Sequence, residues 1–367
     1  MNPDHRTDTV ITNQKGVAAI MVALVIMVLL GMAALAVDIG YRNVAQNELQ
    51  NIVDAAALAG AGELSRQYLD ESFVDVNDSL IVTIAGDVAK SNTADITVVV
   101  EIGTWINRET GFDPTPVTRP NAVKVSVWRD TVGDFTDPNS QVPTFFARIW
   151  NITGLDAMAD AVAALTGASE IAKGELEIPV GISEEWFCPD LDEDGNCDPF
   201  DFCDQNIQFY PTSGTTGCAG WHVYDTWPAN AATLRDDILG GMLDPPVSEP
   251  FESPALDLNS DPPPAFAFTG GNLSTTLDNM VALFQQQCVP PGGPNCTWST
   301  EVVVYDEPCG ENPNQTVNII GFASVQITAV IGPPPVLIAK VECNKVTGGA
   351  GGGNYYGTWG SIPGLVE

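Results

Sequence analysis

The chain has 367 residues and a formal net charge of −33, with 14 Lys and Arg against 47 Asp and Glu. So acidic a surface repels phosphate backbones and excludes nucleic acid as a partner. The length leaves room for two folded units, and 34 Gly with 27 Pro point to many turns and short strands.

From the N-terminus, Val17 to Val37 is an unbroken run of 21 residues without a charged or strongly polar side chain. As a helix it spans roughly 32 Å, close to the ~30 Å hydrocarbon core of a bilayer, and it satisfies its own backbone hydrogen bonds there. Arg6 and Lys15 precede it, so the positive-inside rule places residues 1–16 in the cytoplasm and everything after Asp38 outside. A cleavable signal peptide is the alternative, because Ala34-Leu35-Ala36 forms an A-x-A site; the length of the run and the continuing helical pattern favour an anchor. Both readings export the bulk of the chain.

The helical pattern runs on through residues 38–66 as an amphipathic stalk. Ala45, Leu49, Ile52, Ala56 and Ala59 recur at steps of four and three and share one face. Such a stripe either packs on the chain's own sheet or lets a second copy approach and form a homo-oligomer. Asp38 and Arg42 stand i,i+4 as a favourable ion pair.

Lys15-Gly16, the apolar run, Val37-Asp38-Ile39-Gly40 and the run Leu49–Ala59 (LQNIVDAAALA) together resemble the N-terminal segment of the TadE/TadG-like Flp pilus-assembly proteins of bacteria. Weaker similarity follows at Val142–Ile149 with the Ala-rich Asp156–Leu165, and again at Val302–Asp306 and Ile320–Val325, pieces similar to a TadG-type C-terminal region. The resemblance implies a single-pass inner-membrane protein with its bulk in the periplasm, serving a tight-adherence pilus. The implied partners are membrane lipid and pilus-assembly proteins or pilins. Processed pilin-like members carry Glu five residues after the cleavage glycine. Met21 stands there in this chain, so the uncleaved form is expected.

Residues 67–182 read as a pilin-like α/β region. Ile96–Trp105 and Ala122–Trp128 are rich in β-branched residues and read as strands, joined by a loop over Asn107–Pro120. Pro143–Trp150 reads as a short helix with Pro in its first turn. Ala157–Leu165 fits strand or helix, since period alone does not separate them.

All eight cysteines follow residue 187. An even number confined to the exported part implies disulfides. Eight cysteines allow 105 pairings, so the sequence leaves the connectivity open; the turn-rich Cys288–Cys296 interval would close easily, and a Cys309–Cys343 bridge is one candidate for tying down the last strands. Residues 183–315 read as an irregular, Cys-rich, Pro-rich and acidic region, 316–347 as the final strands (Thr316–Ile331 and Val336–Cys343), and 348–367 as a flexible Gly-rich tail.

Within the Cys-rich region, Pro189–Asp201 (PDLDEDGNCDPFD) carries Asp190, Asp192, Asp194, Asn196, Asp198 and Asp201 with Gly195 at the turn. This is EF-hand-like spacing: a hard cation takes six to eight oxygens, and the glycine permits the sharp turn that gathers them. Asp at the twelfth place and Pro199 beside Cys197 point to an isolated turn holding one structural Ca²⁺. A metal-free acidic turn is the bland alternative.

No G-x-S-x-G, H-E-x-x-H, P-loop or G-x-G-x-x-G is present, nor a D-x-S-x-S adhesion motif. His222, the one exported histidine, sits among aromatics and reads as a satisfied, partly buried residue. The chain is therefore read as α+β: a transmembrane helix, a stalk helix, then a mainly β, disulfide-stapled exported region with a structural, non-catalytic role. The alternatives are a calcium-stabilised adhesion or binding module and an exported hydrolase.

Overall fold

The computed structural model describes residues 14–70, 75–93, 96–105, 108, 110–117, 119–132, 137–187, 202–203, 205–209, 218–224, 253–269, 274–289, 295–309, 315–331 and 336–366. The first element, α1 (Gln14–Tyr68), is one continuous helix of 55 residues, about 80 Å long. It joins the apolar run to the stalk without a break. α2 (Asp78–Asn92) follows. Asn77 caps it, its Oδ1 accepting the Leu80 amide at 3.2 Å, and Ile81, Ala85 and Ala89 are its fully buried stripe.

The strands in chain order are β1 (Val98–Trp105), β2 (Phe112–Asp113), β3 (Ala122–Arg129), β4 (Val142–Pro143), β5 (Gly154–Leu155), β6 (Ala157–Ala164), β7 (Glu170–Ile171), β8 (Val180–Ser183) and β9 (Asn206–Phe209). They continue with β10 (Ala219–Val223), β11 (Leu256–Asp257) and β12 (Ala265–Thr269), then helix α3 (Ser274–Gln287), then β13 (Trp298–Tyr305) and β14 (Thr316–Ile331). The last are β15 (Val336–Glu342), β16 (Lys345–Ala350), β17 (Thr358–Ile362) and β18 (Gly364–Leu365).

Contacts divide the chain into two compact units, Met1–Ala55 with Gly86–Val99 and Val125–Ala161, and Ala56–Ala85 with Val100–Lys124 and Val162–Glu367. One sheet runs in the order β18-β6-β3-β1-β2. The small-residue face of α1 is buried within the chain: Ala45, Leu49, Ile52, Val53, Ala56 and Ala57 are each 6% exposed or less. Ala59 from the expected stripe is half-buried. In the second unit Gly60 lets the helix press close, since a Cβ there would meet Val123 Cγ1 at 2.9 Å and Ala85 Cβ at 3.3 Å.

The second unit also holds a seven-stranded sheet, β12-β10-β8-β13-β14-β15-β9, in which β12 pairs back onto β14. Those pairings close five strands (β8, β10, β12, β13, β14) into a ring, with only β8 and β13 parallel. Alternation sorts the side chains. Val302 and Val304 join one core with Trp221, Val325 and Met280 of α3, while Val303 and Tyr305 join another with Phe266, Phe268 and Phe322. Gly181 and Gly220 make space for the Phe268 ring, which a Cβ would meet at 3.1 and 2.9 Å.

Disulfides Cys203–Cys343, Cys218–Cys309 and Cys288–Cys296 brace this unit. The short Cys288–Cys296 loop matches expectation. The Cys309–Cys343 pairing does not: Cys309 sits after β13 and reaches the start of β10, while Cys343 ends β15 beside its paired neighbour β9.

Residues 348–366 depart from the expected flexible tail. β16 pairs in parallel with β17, and β18 pairs antiparallel with β6. The glycines serve close backbone approach: a Cβ at Gly349 would strike the Glu170 carbonyl, and one at Gly353 would lie 2.6 Å from the Ala168 oxygen. Likewise, residues expected as an irregular region supply β9, β10, β12, α3 and β13. The expected Pro143–Trp150 helix is shorter, a 3₁₀ turn over Ala147–Trp150, and β6 resolves the ambiguous Ala157–Leu165 as a strand.

Candidate functional site

Within the first unit, every fourth residue of α1 from Asp38 turns a polar side chain toward chain segments more than a hundred residues away. Arg42 Nε donates to the Asp156 carbonyl at 2.9 Å, Gln46 Nε2 donates to the Met158 carbonyl, and Gln50 Nε2 donates to the Asp160 carbonyl at 3.2 Å. Four helical residues advance about 6 Å, and two strand residues advance nearly the same, so helix steps of four meet strand steps of two. β18 pairs with β6 only at Ala163 and Ala164. The helix therefore satisfies carbonyls on the part of the β6 edge that β18 leaves open, an edge that otherwise invites another strand.

Asp38 begins this polar line. Its carboxylate accepts the backbone N–H groups of Phe145 (2.7 Å), Phe146 (3.1 Å) and Ala147 (2.6 Å). It is 4% exposed. Burial pushes its pKa up, but the three amides and the nearby Arg148 charge outweigh that and hold the carboxyl below its usual range. The expected Asp38–Arg42 ion pair is thus replaced: each side chain bonds instead to backbone of the 145–156 segment. Periodicity found the apolar face of α1, and the neighbouring polar line Asp38, Arg42, Gln46, Gln50 carried a readable step of four that the sequence analysis missed.

Asp190, Asp192, Asp194, Asn196, Asp198 and Asp201, the expected calcium ligands, lie outside the described residues. Among the described residues no group of three or more His, Cys, Asp or Glu side chains is placed to hold a metal. His222 differs from its expected satisfied, partly buried state. It is fully buried and stacked on Phe266 at 4.6 Å, and neither ring nitrogen makes a hydrogen bond of good geometry. Burial pushes its pKa down to about 3, with the Val180 backbone opposing, so it is a neutral aromatic filler.

Among the described residues, the clefts of the second unit include two of similar size. One of about 460 Å³ is lined by Trp105, Arg119, Asn121, Asn344, Tyr355 and Trp359, among others. Its polar groups are used internally: Asn121 bonds to the Trp105 amide and to the Trp105 and Leu165 carbonyls, and Tyr355 donates to Asn344. The other, about 430 Å³, gathers Glu175, Glu177, Glu301, Glu342 and Lys345. Burial, reinforced by Glu175 and Glu342, raises Glu301 to about 7 against the opposing Ser324 hydroxyl and Lys345. In this second cleft the Ser324 hydroxyl donates to the Glu301 carboxylate at 2.8 Å and lies 2.9 Å from the Thr358 hydroxyl.

Against models of protein families, residues 16–63 match the putative Flp pilus-assembly TadE/G-like family, and residues 59–163 match a putative Tad-like Flp pilus-assembly family. The N-terminal part of the chain is Tad-like. The Tad-like matches run across α1, α2 and the strands through β6, and so include Asp38, the polar line and its carbonyl partners. The C-terminal resemblances at Val302–Asp306 and Ile320–Val325 lie beyond both. No curated protein and no solved structure gives a match.

Proposed function

We propose that the protein is a single-pass envelope component, anchored by residues 17–37 with its bulk outside the cytoplasm, that supports assembly or anchoring of a Flp-type pilus without performing catalysis. The observation that carries this reading is the pair of adjoining Tad-like matches over residues 16–163. Two features support it. Among the described residues one helix is long and apolar enough to cross a membrane, with Met27 and Leu30 of the apolar run 69% and 66% exposed. The disulfides fit an oxidising compartment. The expected partners are bilayer lipid and the pilus machinery. Deleting the gene is expected to abolish surface pili, with recovery on complementation; normal piliation in the deletion strain overturns the reading.

A structural Ca²⁺ at Asp190–Asp201 remains a separate proposal resting on the D-x-D-x-D-G spacing. Adding Ca²⁺ to the chelator-treated protein is expected to raise its melting temperature, and Asp192→Ala to remove that rise. An unchanged melting curve in the parent protein rejects the ion.

A further inference from the structure

β4 and β5 form a hairpin, pairing Val142 with Leu155 and Pro143 with Gly154. The tip of this hairpin is Phe-Phe-Ala-Arg-Ile-Trp-Asn-Ile, residues 145–152. Its backbone is well satisfied. The Asp38 carboxylate takes three amides at the start of the turn, Thr144 Oγ1 donates to the Ile152 carbonyl at 2.5 Å, and Asn151 in the left-handed region (φ 65°) closes the 3₁₀ turn. Its side chains are the reverse of what a soluble tip needs. Phe145 is 59% exposed, Ile149 77% and Trp150 67%, and Phe146 and Ile152 are also exposed. Surface loops are ordinarily polar, and contiguous exposed apolar side chains mark an interaction site.

Where the tip is held decides what it meets. Asp38 directly follows Val37, the last residue of the apolar run, and the Phe145 ring packs edge-on against Tyr41 at 5.5 Å, one turn further along α1. A run of 21 residues spans the hydrocarbon core with nothing to spare, so the residue after it lies at the outer edge of the bilayer. Trp, Tyr and Phe are at home there, because an aromatic ring with a polar edge suits the headgroup level. Arg148, between the Phe pair and the Ile-Trp pair, carries a charge suited to lipid phosphate.

We infer that the 145–152 hairpin tip is a second membrane contact, an aromatic ledge that lies in the outer interface of the bilayer crossed by α1. This rests on the anchor reading above. The ledge adds apolar contact beside the helix, and the Asp38 clamp fixes the tip to the point where α1 emerges. It sets the depth and tilt of the stalk, which a lone helix leaves to lipid thickness.

The test uses the full-length protein reconstituted in phosphatidylethanolamine/phosphatidylglycerol vesicles, with bromine on the upper acyl carbons of part of the lipid. Flotation reports anchoring. Trp150 emission is isolated as the difference between the parent protein and Trp150→Phe, a substitution at an exposed site that leaves the fold intact. The expected result is that this difference signal is quenched at least about twofold by brominated lipid and is shielded from aqueous acrylamide. Protein that fails to float overturns the anchor and the ledge together. Protein that floats with Trp150 unquenched by lipid overturns the ledge alone. In that case acrylamide shielding would assign the tip to a contact with a second copy of the chain, and acrylamide quenching would assign it to open solvent. Phe145→Ser/Ile149→Ser, which keeps Trp150 as the reporter, is expected to lower the lipid quenching of that signal.

Discussion

The two units face the same hazard, the open edge of a sheet, and meet it differently. In the first, a helix lies along β6 and its Arg42, Gln46 and Gln50 side chains take up strand carbonyls. In the second, β12 pairs with both β10 and β14, so the five ring strands leave no free edge between them, and disulfides link the segments around them. Side-chain cover depends on single hydrogen bonds and tolerates adjustment. Ring closure and covalent links depend on long-range pairing and tolerate little. The Tad-like matches cover all of the first unit from residue 16 and the 56–85 and 100–124 segments of the second, and the ring strands lie beyond residue 163.

Breaking the covalent links tests that contrast with the largest effect. The Cys218–Cys309 bridge closes a 91-residue interval, for which chain entropy allows up to about 5 kcal/mol. Cys218→Ser/Cys309→Ser is expected to lower the melting temperature substantially and to speed hydrogen exchange in β8, β10 and β13. Amides of residues 38–54 should keep their protection, and equal loss in both places would erase the distinction between the units.

The second effect is pH-dependent and belongs to Glu301. Its pKa rises from 4.5 unfolded to about 7 folded, so between those values the folded state binds more protons than the unfolded state. Stability is therefore full below about 4.5 and falls as pH rises through 7, by on the order of 3 kcal/mol at most. Glu301→Gln, which removes the ionisation while keeping a group for the Ser324 hydroxyl, is expected to stabilise the protein at pH 8 and to change little at pH 4.5. Urea melts at the two pH values measure it, and equal effects at both would rule out the titration.

The smallest effect sharpens the other side. Gln50→Leu removes the bonds to the Asp160 carbonyl and to the Asp54 carboxylate and is expected to cost about 1–2 kcal/mol in urea melts, with no change in the ring strands by hydrogen exchange. A cost several times larger would mean that the ladder acts as one cooperative unit.

Much of the first unit was legible because its signals are local. α1, β1 and β3 each declare themselves in a window of ten to twenty residues, β6 fits strand or helix in the same window, and the LQ-x-x-x-DAAALA run carried the family likeness. β14 and β15 were legible for the same reason, being long and β-branched. α2 also had a local signal, Ile81, Ala85 and Ala89 at steps of four, which the sequence analysis passed over. The ring was not legible. β8, β10 and β12 have four or five residues each, flanked by Pro, Gly or Cys, and their partners lie up to 122 positions away, as for Gly181 and Val303. No window of sequence contains both halves of such a pair. The glycines of 348–353 misled because composition reports backbone freedom and says nothing of a neighbouring carbonyl. His222 shows the same gap, since its aromatic neighbours were visible and its unsatisfied nitrogens were not.

The stepping of α1 along β6 has a built-in limit. A helix advances about 6.0 Å in four residues and a strand about 6.6 Å in two, so the two scales slide past each other like a vernier and lose alignment with every rung. Three rungs keep the slip near 1 Å, within the reach of flexible Arg and Gln side chains. The next residue at that step is Asp54, whose carboxylate cannot donate and instead accepts from Gln50 Nε2 at 2.8 Å, and the Val162 carbonyl is taken by the Val366 amide at 2.9 Å. Residues 364–366 thus finish the edge beyond the last polar rung, so removing them would bare strand backbone far away in sequence.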